Sequence, residues 1–298
     1  MTDGDFRVTL LGTGTPIPVP HRFGPSTLIE AGDQKLLIDA GRGATIQLYR
    51  LRIPMGRINP LLLTHYHSDH TVGVPDFWLI GWLSSFYARR SVPLHVIGPT
   101  GAKRLMENLE KAYADDIKIR LVDEKLPPEG IATRVEEYDR DGVVYEKDGL
   151  KVIAFEVDHG DVIKPCYGYR VEYGGRVAVF SSDTRYNENV IKYGKGADLL
   201  VHEVAMARPE LMKEAYIQRI VAHHTVPYDC GRVFAQTRPK LAAYTHLVML
   251  ASDTIPAPSV EDLIAETRQT YDGPLEVGED LMQFAIGDTV TVRRLGST

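Results

Sequence analysis

The chain has 298 residues, 44% apolar and 25% charged, which supports a large core in one domain over residues 1–298 and excludes a disordered or fibrous protein. Its formal net charge of −6 provides no global basic field for a polyphosphate, which weighs against a nucleic-acid substrate. Cys166 and Cys230 form no CxxC pair and read as buried free thiols, and the N-terminus lacks the pattern of a secretory signal, so a reducing cytoplasm is the expected location.

In chain order, residues 6–11 predict a strand that ends in the turn Gly12-Thr13-Gly14-Thr15-Pro16, whose spacing fits no phosphate loop. Residues 26–30 and 35–39 predict a hairpin, and 44–51 a helix closed by Pro54. After the apolar run 60–63 comes Thr64-His65-Tyr66-His67-Ser68-Asp69-His70. The aromatic stretch 74–87 falls short of the ~20 residues of a membrane span and reads as a buried helix or a pocket wall. Residues 94–97 predict a strand, in which His95 is structural, and 100–113 a helix starting at Thr100. His21 lies in a Pro-rich turn and is left out of the site.

Short β runs follow at 117–122, 143–146, 150–157, 167–173 and 176–180. Lys147-Asp148-Gly149 and Tyr173-Gly174-Gly175 between them suit tight primed turns. The last third alternates, with strands at 197–201 and 241–245 and helices near 228–236 and 260–271. Such alternation belongs to a layered α/β fold.

Three imidazoles and a carboxylate within six positions behind a strand-like run are metal-ligand chemistry, because neutral imidazole and carboxylate are donors that Zn2+ and similar cations prefer. Further donors follow predicted strands: His159, Asp183, the His202-Glu203 pair and His246. Strands sharing a direction can deliver such residues to one crevice.

The series HxHxDH, His159, Asp183 in Ser-Asp-Thr, and His246 resembles the metallo-β-lactamase-fold hydrolases. Asp39-Ala-Gly-Arg-Gly, Gly168-Tyr-Arg, Ser182-Asp-Thr-Arg, Val201-His-Glu203 and His224-Thr resemble its branch containing ribonuclease Z and arylsulfatase-like enzymes. The resemblance implies an α/β fold, the four-layer αββα sandwich, with two divalent metal ions: zinc, or manganese or iron. His65, His67 and His159 would hold one ion and Asp69, His70 and His246 the other, with Asp183 bridging.

By the same resemblance Asp69, Glu203 and His224 are the catalytic side chains, His224 donating a proton with Glu203 orienting it; His223 is the competing candidate. A metal-bridging hydroxide would attack an ester-type bond: phosphodiester, lactone, carboxylic or sulfate ester. The resemblance also implies a homodimer. In ribonuclease Z a long Gly/Pro-rich arm after the Gly-Tyr-Arg strand grips tRNA, whereas here the chain turns straight back. A small-molecule ester is therefore the first expectation, with aromatics from 77–87 lining its pocket, and tRNA 3′-end cleavage is the alternative.

Overall fold

The computed structural model describes residues 5–295 as two sheets packed face to face. The first is built from β1 (Phe6–Gly12), β2 (Ser26–Ala31), β3 (Gln34–Ile38), β4 (Leu61–Leu62), β5 (Leu94–Pro99) and β6 (Thr133–Tyr138). The second takes β7 (Gly142–Lys147), β8 (Leu150–Glu156), β9 (Tyr167–Tyr173), β10 (Arg176–Phe180), β11 (Leu199–Ala207), β12 (Leu241–Leu250) and β13 (Leu275–Val277). The chain then returns to the first sheet as the hairpin β14 (Met282–Ile286) and β15 (Val290–Arg294), beside β1.

Side chains of a strand alternate between faces, and here each face meets a different apolar layer. Leu10, Ile29, Leu36, Ile38 and Leu62 pack between the sheets against Ala154, Tyr169, Ala178 and Val201. Their neighbours Leu11, Leu28, Leu37, Leu61 and Leu63 face outward onto helices. The strands therefore read as nearly continuous apolar runs.

The helices over the first sheet are α1 (Ala44–Arg50), α2 (Ser68–Thr71), α3 (Val74–Trp82), α4 (Ala102–Ala112), α5 (Ala114–Val122) and α6 (Pro128–Ile131). Those over the second are α7 (Glu188–Gly194), α8 (Ala215–Val221), α9 (Pro227–Thr237) and α10 (Val260–Thr267). Val190, Ile191, Val233, Phe234 and Leu263 cover Phe155, Val179, Leu200 and Tyr244. Helix, sheet, sheet, helix is the αββα order expected.

Several elements differ from expectation. Residues 117–122 alternate like a strand but form the end of α5, because Ile117 and Leu121, four apart, share a helix face against the core. Arg120 adds ion pairs to Asp116 and Glu124 at the same spacing. Gly101, not Thr100, caps α4, with no side-chain cap. α10 stops at Thr267, and β11 and β12 run five or more residues past their expected ends.

Strands β3, β4 and β5 are parallel, as are β10, β11 and β12, and β8 shares the direction of β10 through two antiparallel steps. The ends of β3, β4, β8 and β10 thus open on one edge of the sandwich. Among the described residues no helix is long and apolar enough to cross a membrane.

Candidate metal centre

At that edge β3 ends in Asp39, which takes a positive φ of 56° and aims its buried carboxylate at the next strand end. It accepts from the Thr64 backbone N–H at 2.9 Å, from the Thr64 hydroxyl at 2.7 Å and from His70 Nδ1 at 2.7 Å. Residues 65–70 are thereby wound into a compact loop whose last turn is α2. A Cβ on Gly41 would lie 2.4 Å from the Gly24 carbonyl carbon and 2.5 Å from the Asp69 carbonyl oxygen. Only glycine permits this approach, so the Asp39-Ala-Gly run is sized to seat the loop.

From the other side, the Tyr169 hydroxyl on β9 donates to the Leu63 carbonyl at 2.6 Å, and the Tyr167 N–H donates to Thr64 O at 3.1 Å. The second sheet then supplies its own donors. His159 follows β8, and its Nδ1 donates to the His223 carbonyl at 2.9 Å. Asp183 follows β10 through Ser182, whose φ is 57°.

His246 does not end a strand. It is the extra residue of a bulge inside β12: Thr245 pairs with Glu203 and Leu247 with Val204, leaving His246 unmatched at φ 46°. A bulge re-aims one side chain without ending the ladder, and three strained non-glycine residues at one site mark backbone held for a purpose.

These elements bring together every ligand residue expected. His65, His67, His159 and Asp183 form one group that could hold a metal ion, Asp69, His70 and His246 another, and Asp183, His224 and His246 a third that shares two members with them. The Nε2 atoms of His70 and His246 lie 3.4 Å from Asp183 Oδ2, with those of His159 at 3.6 Å and His65 at 3.9 Å. His246 Nε2 is 3.2 Å from Asp69 Oδ2, and His67 Nδ1 is 3.1 Å from His65 Nε2. Tetrahedral ligands at the ~2.0–2.1 Å of a zinc–nitrogen bond are about 3.3 Å apart, so the spacing fits a shared cation. His70 Nε2 is buried and otherwise without a hydrogen-bond partner.

The electrostatics fit as well. Burial pushes the pKa of His65 well down, that of His67 down and that of His159 to about 4, so these rings are neutral and keep a lone pair for a cation. Burial opposes the charged form of Asp183, but His246 and His70 outweigh it and hold the carboxyl well below its usual range. Asp69 is likewise held down against burial, by its bond to His246 and by His70. His70 is the exception: burial opposes its protonation, yet Asp183 and Asp39 outweigh it and raise its pKa well above the ordinary value, so a cation would bind there by displacing that proton.

His224 stands beside this cluster between α8 and α9, its ring centroid 5.0 Å from that of His159 and 5.6 Å from that of His246. Its Nδ1 donates to Glu203 Oε2 at 3.0 Å, while Glu203 Oε1 accepts from the Thr225 N–H at 2.8 Å. Burial works against the imidazolium, but Glu203 prevails and lifts the pKa to about 9. His223 sits farther out, its ring 6.1 Å from that of His159. His202 turns away into the core against Phe234 and Cys230.

One further expectation changes. Phe77, Trp78 and Trp82 are fully buried, with the indole N–H groups donating to Ile131 O and Pro127 O, so they are core and not the wall of a substrate pocket. Phe86, by contrast, is exposed. His95 sits in β5, 3.3 Å from Glu136, as a structural residue. Asp39 is a functional residue that the sequence signals only weakly, as an acid directly after an apolar strand and before Ala-Gly. Thr64 carried no signal.

Comparison with known proteins follows the same lines. YhfI from Bacillus subtilis, described as a metallo-beta-lactamase fold protein, superposes with a TM-score of 0.69 at 19% identity over 93% of this chain and 98% of that one. The short form of human tRNase Z gives 0.70 at 22% over 94% and 99%. Ribonuclease Z of Mycolicibacterium gilvum (strain PYR-GCK) is 34% identical over 296 residues, 97% of this chain and 99% of the relative. Residues 6–219 match the family model described as "Anti-Pycsar protein Apyc1".

The fold, the donor cluster and these relatives define a metal-dependent hydrolase of the metallo-β-lactamase type. Within that class the chain belongs to the ribonuclease Z branch, and over residues 6–219 to the Apyc1 family.

Proposed function

We propose that this protein is a metal-dependent phosphodiesterase, and the observation that carries the reading is the meeting of both donor groups at Asp183 beside the His224–Glu203 pair. His65, His67 and His159 would hold one divalent ion and Asp69, His70 and His246 the other, with Asp183 between them; zinc is the expected metal, with manganese or iron as other candidates. Such ions supply Lewis acidity and lower the pKa of water near neutral pH.

The residues of the chain divide the remaining work. Asp69, an acceptor-only carboxylate, takes a proton from the incoming water as its oxygen bonds to phosphorus. His224, protonated through Glu203, gives the Nε2 proton to the departing oxygen as the P–O bond breaks. His70 is kept in orientation by Asp39, and His159 by the His223 carbonyl.

Relatives named ribonuclease Z support an RNA phosphodiester as substrate, the reading placed second from the sequence. One feature supports a compact phosphodiester as the second reading. β9 and β10 are joined directly by Gly174-Gly175, both at positive φ, where ribonuclease Z by resemblance carries its tRNA-gripping arm. A cytoplasmic location, expected from the cysteine usage and the N-terminal pattern, and a homodimer, implied by the resemblance, are part of this proposal.

Zinc-loaded protein assayed on precursor tRNA, a dinucleotide, an aryl phosphodiester, a lactone and an aryl sulfate tests the reading. Phosphodiesters should be the best substrates, and RNA cleavage, where present, should fall steeply with salt. Turnover confined to the lactone or the sulfate would refute it.

A further inference from the structure

The segment between α8 and α9 is tied residue by residue. Ala222 O accepts from Arg185 Nε at 2.7 Å and His223 O from His159 Nδ1 at 2.9 Å. His224 Nδ1 and Thr225 N–H both donate to Glu203, and the Thr225 hydroxyl donates to Thr184 O at 2.7 Å. Arg185 also reaches the loop that carries His159. Its backbone N–H donates to Asp158 O at 2.8 Å, and its side-chain Nη1 lies 3.4 Å from Asp158 Oδ2 and 3.6 Å from Asp161 Oδ1. Asp158 Oδ1 in turn accepts from the Gly160 N–H at 3.0 Å.

We propose that Arg185 is a positioning residue: its guanidinium clamps the 158–161 loop to the 222–225 segment, adding to the bonds that His159 and His224 make for themselves a link that fixes the ligand His159 and the proton donor His224 relative to each other. The inference rests on the roles given above to His159 and His224. A planar fork bonds two acceptors on different loops at a fixed angle, which a single ammonium cannot reproduce. Arg185 lies two residues beyond Asp183, so the same short stretch that supplies the central carboxylate also sets the outer wall of the site.

The test compares parent, Arg185→Lys and Arg185→Ala. Two quantities are measured: Zn2+ affinity by competition with a chromophoric chelator, and amide hydrogen exchange of residues 222–225, with and without zinc. The lysine variant keeps the charge and the fold while removing the fork, so it decides the matter even where the alanine variant is unstable. Expected in both variants are exchange at least ~10-fold faster in 222–225 and a ~10–100-fold loss of affinity for one of the two zinc ions, the other being retained. Parent-like exchange or parent-like affinity in Arg185→Lys overturns the proposal. A parent that binds no zinc would instead sink the metal reading, and exchange in the metal-free proteins still judges the clamp.

Discussion

At the scale of single residues, the proton inventory of His224 gives the sharpest prediction. An acid must be protonated to work, and a pKa lifted to about 9 by Glu203 keeps it so through neutral pH. Turnover of zinc-loaded protein is expected to fall along an alkaline limb that lies below the value of about 9 for the ion-free chain, because cations held beside His159 and His246 disfavour the imidazolium. In Glu203→Gln the carboxylate that outweighs burial is gone, so the alkaline limb should move to lower pH; a limb that stays in place would separate it from His224. His224→Ala should slow kcat by ~10²–10⁴ while retaining zinc, read by metal analysis beside steady-state rates. Sequence alone left His223 and His224 in competition. The choice depends on which imidazole lies 3.0 Å from Glu203, a contact across 21 residues that adjacency in the chain cannot supply.

At the scale of elements, the site is held by how closely backbone segments approach. Gly41 packs against the carbonyls of residues in two other segments, and a methyl group there meets backbone, which cannot rotate aside. Gly41→Ala is expected to cost about 1–3 kcal/mol, the usual range for overpacking, and to weaken zinc binding because the Asp69 carbonyl must move. Gly142→Ala, where nothing lies within 4 Å of the added carbon, is the control. Denaturant melts with chelator competition check both, and an unperturbed Gly41→Ala would show that the loop seats loosely. The apolar runs made most strands legible, because two buried faces leave few polar interruptions. The helix over 117–122 was not legible: its alternation suits a strand until the core cluster claims Ile117 and Leu121 together.

At the scale of the whole molecule, the proposed ions join the two halves of the sandwich. His65, His67, Asp69 and His70 come from the first sheet's loop, and His159, Asp183 and His246 from the second sheet. A ligand bound only by the folded state stabilises it by about 4 kcal/mol at a thousandfold excess over Kd. Chelation should therefore lower Tm by several degrees, with zinc restoring it, as followed by calorimetry. An unchanged melt would mean that the donors hold no ion tightly.

By itself the sequence determined the layered α/β class and pointed to the candidate donors, because strand burial leaves an apolar signature and HxHxDH crowds ligand-type residues into one local window. Tertiary structure alone decided that His246 is aimed by a bulge inside a long strand, that Asp39 is the acid behind His70, and that the aromatic stretch is core. Each of these depends on register or on contacts between segments distant in the chain, and local residue patterns do not encode which remote backbone will lie alongside.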